Sequence, residues 1–180
     1  MRNFLLSVLA IVLLSINVAA GPEDLSKFRD TPYAPQKTVY DFNNDDPADS
    51  LRALKYVKNQ LAALKEFGGY EGTHIVVVSH GNGLHTFARE NRDLYPDAYK
   101  KLKQLTDQGV NFYICRNAAR GRGYGTDDFY DLTTVVPAGM PEIAKWQNEG
   151  YSYASGSVGE RMTRDDLVKL REETKLEAQK

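Results

Sequence analysis

Two short stretches hold the residue types best suited to chemistry: "SHGNG" at residues 79–83 and "CRN" at residues 115–117. Cys115 is the only cysteine in 180 residues, so no internal disulfide can form. A thiol at a strand end, just before a helix start capped by Asn117, would meet free N–H groups and the positive end of a helix dipole. Arg116, and with it Arg120 or Arg122, would add positive charge. A thiolate so placed attacks sulfane sulfur and holds it as a persulfide. The competing reading is an inert core thiol, since "FYIC" is a hydrophobic strand and free cysteine is often buried. Spacing alone leaves both open.

The second stretch follows an apolar run. His80, Gly81, Asn82 and Gly83 resemble an anion-cradling turn, because glycines let backbone approach a ligand closely. Equally, the glycines serve only the turn. The stretch lacks the nucleotide-binding glycine patterns, and "VSHGNG" is not a nucleophile elbow. His80 and His85 are five apart, a poor spacing for a shared metal on one helix face, so no metal and no cofactor is expected. "RGRGYG" (residues 120–125) reads as a flexible loop, with attraction of anions beside Cys115 as the alternative. Trp146 and Tyr151 read as core.

These residues need elements to position them. "TVYDF", "HIVVVSHG", "VNFYIC", "TTVVP" and "YSYA" are strand candidates, and the unbroken apolar run of residues 75–78 suits a strand covered on both faces. Between the first two, Asp46, Pro47 and Asp49 suggest a capped start. Leu51, Leu54, Val57, Leu61, Leu64 and Phe67 then recur at helical spacing until Gly68. A second helix is expected from about Leu84, interrupted near Pro96 and resuming with Ala98, Leu102 and Leu105. "GMPEIAKWQNEG" is a third. Strand and helix alternate, which predicts an α/β domain with one parallel sheet flanked by helices. Its ligands would gather beyond the carboxyl ends of the strands, where His80 and Cys115 would open onto one crevice.

The ends read differently. Residues 1–20 combine Arg2, a mostly apolar run and small residues at Val18 and Ala20, the pattern of a cleavable signal peptide. The chain is therefore expected in the periplasm or secreted, with no membrane span once the signal is removed. Cleavage takes one of the 23 basic residues and leaves 24 acidic ones, a net charge of −2. That balance offers nothing to nucleic acid. Residues 21–36 read as an extended leader, 37–155 as the α/β domain, and 156–180 as a charged tail that restarts at "TRDD".

"HIVVVSHGNGL", "LKQLTDQGVNFYICRNAARGRG" and "VVPAGMPEIAKWQNEGYSYA" together resemble the DsrE family, a sulfur-relay group, over most of the mature chain. The resemblance implies a five-stranded parallel sheet of flavodoxin-like architecture and assembly into homotrimers or hexamers. It also implies a cysteine after the third strand that accepts and passes on sulfur in some members; Cys115 stands there. The export signal departs from the cytoplasmic relay members, so donor and acceptor would be other proteins or a small sulfur anion. Two functions follow: an exported sulfur carrier using Cys115, with His80, Gly81, Asn82, Gly83, Arg116, Asn117 and Arg120 around the bound sulfur, or a non-catalytic oligomeric binding module with a packed cysteine.

Overall fold

The β-branched and aromatic runs form strands as their composition dictates. A computed structural model describes residues 25–159 and 161–177. β1 (Lys37–Phe42), β2 (His74–Ser79), β3 (Asn111–Cys115), β4 (Thr133–Val136) and β5 (Ser152–Ser155) make one sheet, ordered β4-β3-β2-β1-β5. Every pairing is parallel. Ile75 to Val78 on β2 are buried, as a strand covered on both faces requires.

Alternation along the strands sorts side chains onto two faces. Tyr40, Phe42, Ile75, Val77, Phe112 and Ile114 join a large apolar cluster with Leu54, Val57 and Leu61 of α1 (Pro47–Phe67) and Leu102 and Leu105 of α2 (Ala98–Thr106). Val39, Val76 and Val78 face the other way, against α4 (Gly139–Asn148), through Ile143, Trp146 and their neighbours Tyr113 and Tyr151. The short α3 (Arg116–Arg120) follows β3 without a loop.

Local signals explain the helix ends. The Asp46 side chain accepts the Ala48 N–H at 2.8 Å and Pro47 opens α1, as the spacing predicts. Asp49 does not complete a capping box; it pairs with Arg52 one turn on. Gly68 ends the helix at φ 91°, a conformation glycine adopts freely. The helix expected from Leu84 is instead two 3₁₀ turns, Asn82–Phe87 and Arg89–Asn91, before α2 begins. Ala88 N donates to the His85 carbonyl, and the Asn91 side-chain amide donates to that same oxygen at 2.9 Å. The carbonyl that a continuing α-helix would bond is thus already engaged.

Residues 25–30, which lie outside the compact unit that begins at Thr31, contain neither helix nor strand. From Thr31 the chain stays irregular up to β1 while Tyr33 N bonds the Phe67 carbonyl. α5 (Arg164–Glu177) starts with the expected capping box, Thr163 and Asp166 bonding each other's backbone N–H at 2.7 and 3.2 Å. No helix among the described residues is long and apolar enough to cross a membrane. The signal peptide read in residues 1–20 lies outside the described residues.

Candidate functional site

The carboxyl ends of β1, β2 and β3 bring three chemically active residues to one face of the sheet. Side chains alternate, so Asp41, His80 and Cys115 fall on the face of Val39, Val78 and Tyr113, the face α4 covers. His80 lies just past β2, its N–H still bonded to the Phe42 carbonyl at 3.1 Å. Its Nε2 sits 2.7 Å from Asp41 Oδ1, and Tyr153 of β5 donates its hydroxyl to Asp41 Oδ2 at 2.8 Å. Both side chains of the pair are largely covered, at 14 and 13 % exposure. Burial pushes the Asp41 carboxyl up, but the hydrogen bonds from His80 and Tyr153 and the charge of His80 outweigh it, leaving it below the ordinary aspartate value. Tyr153 is raised in turn, first by that hydrogen bond and then by burial.

Cys115 is not open at the sheet's rim as expected: only 5 % of it is exposed. The reason is local. α3 starts at the next residue, and the chain folds over the sulfur. Cys115 itself, not Asn117, is the helix cap; its backbone is extended (φ −68°, ψ 111°) and its Sγ accepts the Ala118 N–H at 3.3 Å. Asn117 lies inside α3 and is exposed, as are Arg116 and Arg120, neither of which forms an ion pair among the described residues. Cys115 is a member of neither apolar cluster.

The "GNG" turn serves packing. A Cβ on Gly81 would lie 2.7 Å from the Asn44 backbone nitrogen, and one on Gly83 would collide with Ser50. The N–H groups of Gly81, Asn82 and Leu84 bond the carbonyls of Phe42, Asn44 and Gly81, so these donors are already engaged. The glycines therefore dock the turn against α1 and the loop before it, and Gly81 and Gly83 are buried.

Nor is "RGRGYG" a loose loop. Arg122 donates from Nε and Nη2 to Asn82 Oδ1 at 3.0 and 2.8 Å, and from Nη1 to the Ala118 carbonyl at 3.1 Å. The Tyr124 hydroxyl is bonded by His85 Nδ1 at 2.7 Å and by the Asn91 amide at 2.8 Å. Of the basic residues here, Arg122 joins the two candidate stretches; Arg116 and Arg120 do not. Sequence reasoning missed Asp41, Tyr153 and Gly139. Asp41 carried a signal, a charged residue inside an otherwise apolar strand, whereas Gly139 is recognisable only from the fold: a Cβ there would stand 2.8 Å from His80 Cβ.

Known proteins match this chain in sequence family and in fold. The DsrE/DsrF-like family model matches residues 37–154. The solved structure of MTH1491 from Methanobacterium thermoautotrophicum, described as a protein of unknown function, is 28% identical, with TM-score 0.56 over 67% of this chain and 98% of that one. The ychN protein of E. coli shares the fold at 18% identity and TM-score 0.52, again over 67% and 98% of the two chains. No curated protein matches the sequence.

Proposed function

The chain belongs to the DsrE/DsrF-like family, and on that premise we propose that it is an exported sulfur carrier that holds sulfane sulfur as a persulfide on Cys115. One observation carries the reading: Sγ of Cys115 accepts a backbone N–H at the β3–α3 junction, on the face and at the strand ends where His80 and Asp41 also stand. An N–H directed at sulfur supports negative charge on it, which the attacking form bears. The thiolate would attack a persulfide or polysulfide, forming a new S–S bond as the donor's own S–S bond breaks and its electron pair leaves on the departing sulfur. With so little of Cys115 exposed, small sulfur anions are the natural donors. A protein donor would have to displace α3. The family setting also suggests self-association as a homotrimer or hexamer, and sedimentation at micromolar concentration showing only monomer would count against it.

Incubation with polysulfide followed by intact-mass measurement tests the carrier reading. The expected result is a gain of sulfur in the wild type and none in Cys115→Ser. No gain, or an equal gain in both, overturns it.

A second reading has its own observation. The same sulfur caps α3 and is largely covered, which suits a non-catalytic oligomeric binding module in which Cys115 is structural. Iodoacetamide separates the two: a thiol labelled only in denaturant belongs to the binding module.

A further inference from the structure

Resting on the reading of Cys115 as sulfur acceptor, we infer that His80, held by Asp41 and Tyr153, is the base that takes the thiol proton during sulfur transfer. The last paired step between β2 and β3 joins Ser79 to Ile114, so His80 and Cys115 are the next residues on the two strands. Neighbouring strands lie about 4.8 Å apart, which puts an imidazole and a thiol on one face within side-chain reach.

The second observation is the state of the ring. An ionised Asp41 only accepts hydrogen bonds, so His80 Nε2 carries the hydrogen at that 2.7 Å contact, and in the neutral ring Nδ1 holds the lone pair that a base needs. Among the described residues no hydrogen bond occupies Nδ1. β2 lies between β1 and β3, so the strand end that leads to His80 adjoins both the strand of Asp41 and the strand of Cys115.

The third is that the ring's position is fixed. Gly139, at the start of α4, leaves room for His80 and for nothing larger than hydrogen, and Tyr153 holds the second oxygen of Asp41. A largely covered carboxylate with two donors and a histidine with one nitrogen outside any hydrogen bond among the described residues is the orienting half of a nucleophile–base pair. Titratable groups on the surrounding elements include Asp41 on β1, Tyr113 and Cys115 on β3, Tyr153 on β5 and Glu142 in the first turn of α4, the last paired with Lys145 at 3.3 Å.

The step balances without an outside oxidant. The proton passes from Cys115 Sγ to His80 Nδ1, and the thiolate attacks a sulfane sulfur of a polysulfide. The Cys115 S–S bond forms, the donor's S–S bond breaks, and the departing sulfur takes the electron pair and then the proton from Nδ1. Cys115 sulfur is oxidised and the departing sulfur reduced.

The test is the rate of sulfur gain from tetrasulfide, followed by intact mass, in the full-length wild type, His80→Ala, Asp41→Asn and Tyr153→Phe. His80→Ala is expected to load about a hundredfold more slowly, with free imidazole restoring part of the rate. Asp41→Asn is expected to be about tenfold slower and Tyr153→Phe less affected, because they act through His80. Wild-type loading in His80→Ala, or slow loading indifferent to imidazole, overturns the inference. Should His80→Ala fail to fold, Asp41→Asn keeps the shape of the site, and an unchanged rate in it is equally fatal. If the wild type takes up no sulfur, it is the carrier reading that falls. Iodoacetamide alkylation, which also needs the thiol proton removed, then decides the role of His80 by the same pattern of slowing and rescue.

Discussion

Arg122 places two of its nitrogens on a single oxygen of Asn82, at 3.0 and 2.8 Å, and so ties the turn after β2 to the turn after α3. Its third donor holds the Ala118 carbonyl, the residue whose N–H reaches Cys115. The guanidinium thus braces the short helix that covers the sulfur, a geometry lysine cannot reproduce.

Arg122→Ala should therefore loosen α3 without touching the core. Three charge-assisted bonds at a half-buried site are worth about 1–2 kcal/mol after discounting for solvent. Urea unfolding is expected to show that loss, and iodoacetamide should label Cys115 faster than in the wild type. An unchanged labelling rate would mean that α3 keeps the sulfur covered without the brace.

Gly139→Ala tests how tightly α4 is fitted to the histidine. The added methyl would lie 2.8 Å from His80 Cβ and 3.1 Å from Cγ, closer than carbon atoms approach one another. Overpacking of this kind costs about 1–3 kcal/mol. The loss should vanish in a Gly139→Ala/His80→Gly double variant, because alanine at position 80 would keep the Cβ that the new methyl meets at 2.8 Å and glycine would not. A double-mutant cycle on unfolding free energies measures it, and additive losses would refute the proposed fit.

The sheet was legible in the sequence because each strand is a short apolar or β-branched run closed by turn residues, and α1, α2 and α4 carry apolar residues at helical spacing. The stretch from Leu84 to Tyr95 was not. Its apolar residues suit a helix, but the Asn91 amide bonds the His85 carbonyl and breaks the ladder, a contact no periodicity reveals. The site was half legible. Strand ends marked His80 and Cys115, whereas Asp41 and Tyr153 meet only because β5 inserts beside β1, far away in sequence. The sulfur's role as helix cap was hidden by the asparagine two residues later, the more usual capping residue.

Asp41 gives the fold a defined acid limit. Its carboxyl lies lower in the folded protein than in the unfolded chain, so the folded state prefers the ionised form. That contribution is fully present above the unfolded value of about 3.9 and is lost as pH falls through the folded one. Tyr153 works in the opposite direction: its hydroxyl is raised, so its contribution is present below about 10 and disappears as pH rises through its folded value. Unfolding free energy followed from pH 5 down to pH 2 should fall less steeply in Asp41→Asn than in the wild type. Equal slopes would show that Asp41 titrates alike in both states.

Substitution can separate the cap that Cys115 forms on α3 from the sulfur-acceptor role proposed for it. As a cap it needs only an acceptor at the tip of a short side chain, because the Ala118 N–H is the group to be satisfied. Serine supplies that acceptor and alanine does not, so Cys115→Ala should be less stable than Cys115→Ser by about 1 kcal/mol, the usual worth of a cap. As a sulfur acceptor it needs the thiol, which both variants lack. Calorimetry and polysulfide loading on the same pair are therefore expected to disagree, with stability distinguishing serine from alanine and loading absent from both. Equal stabilities would remove the capping role, since α3 would then form without any side-chain acceptor at its start.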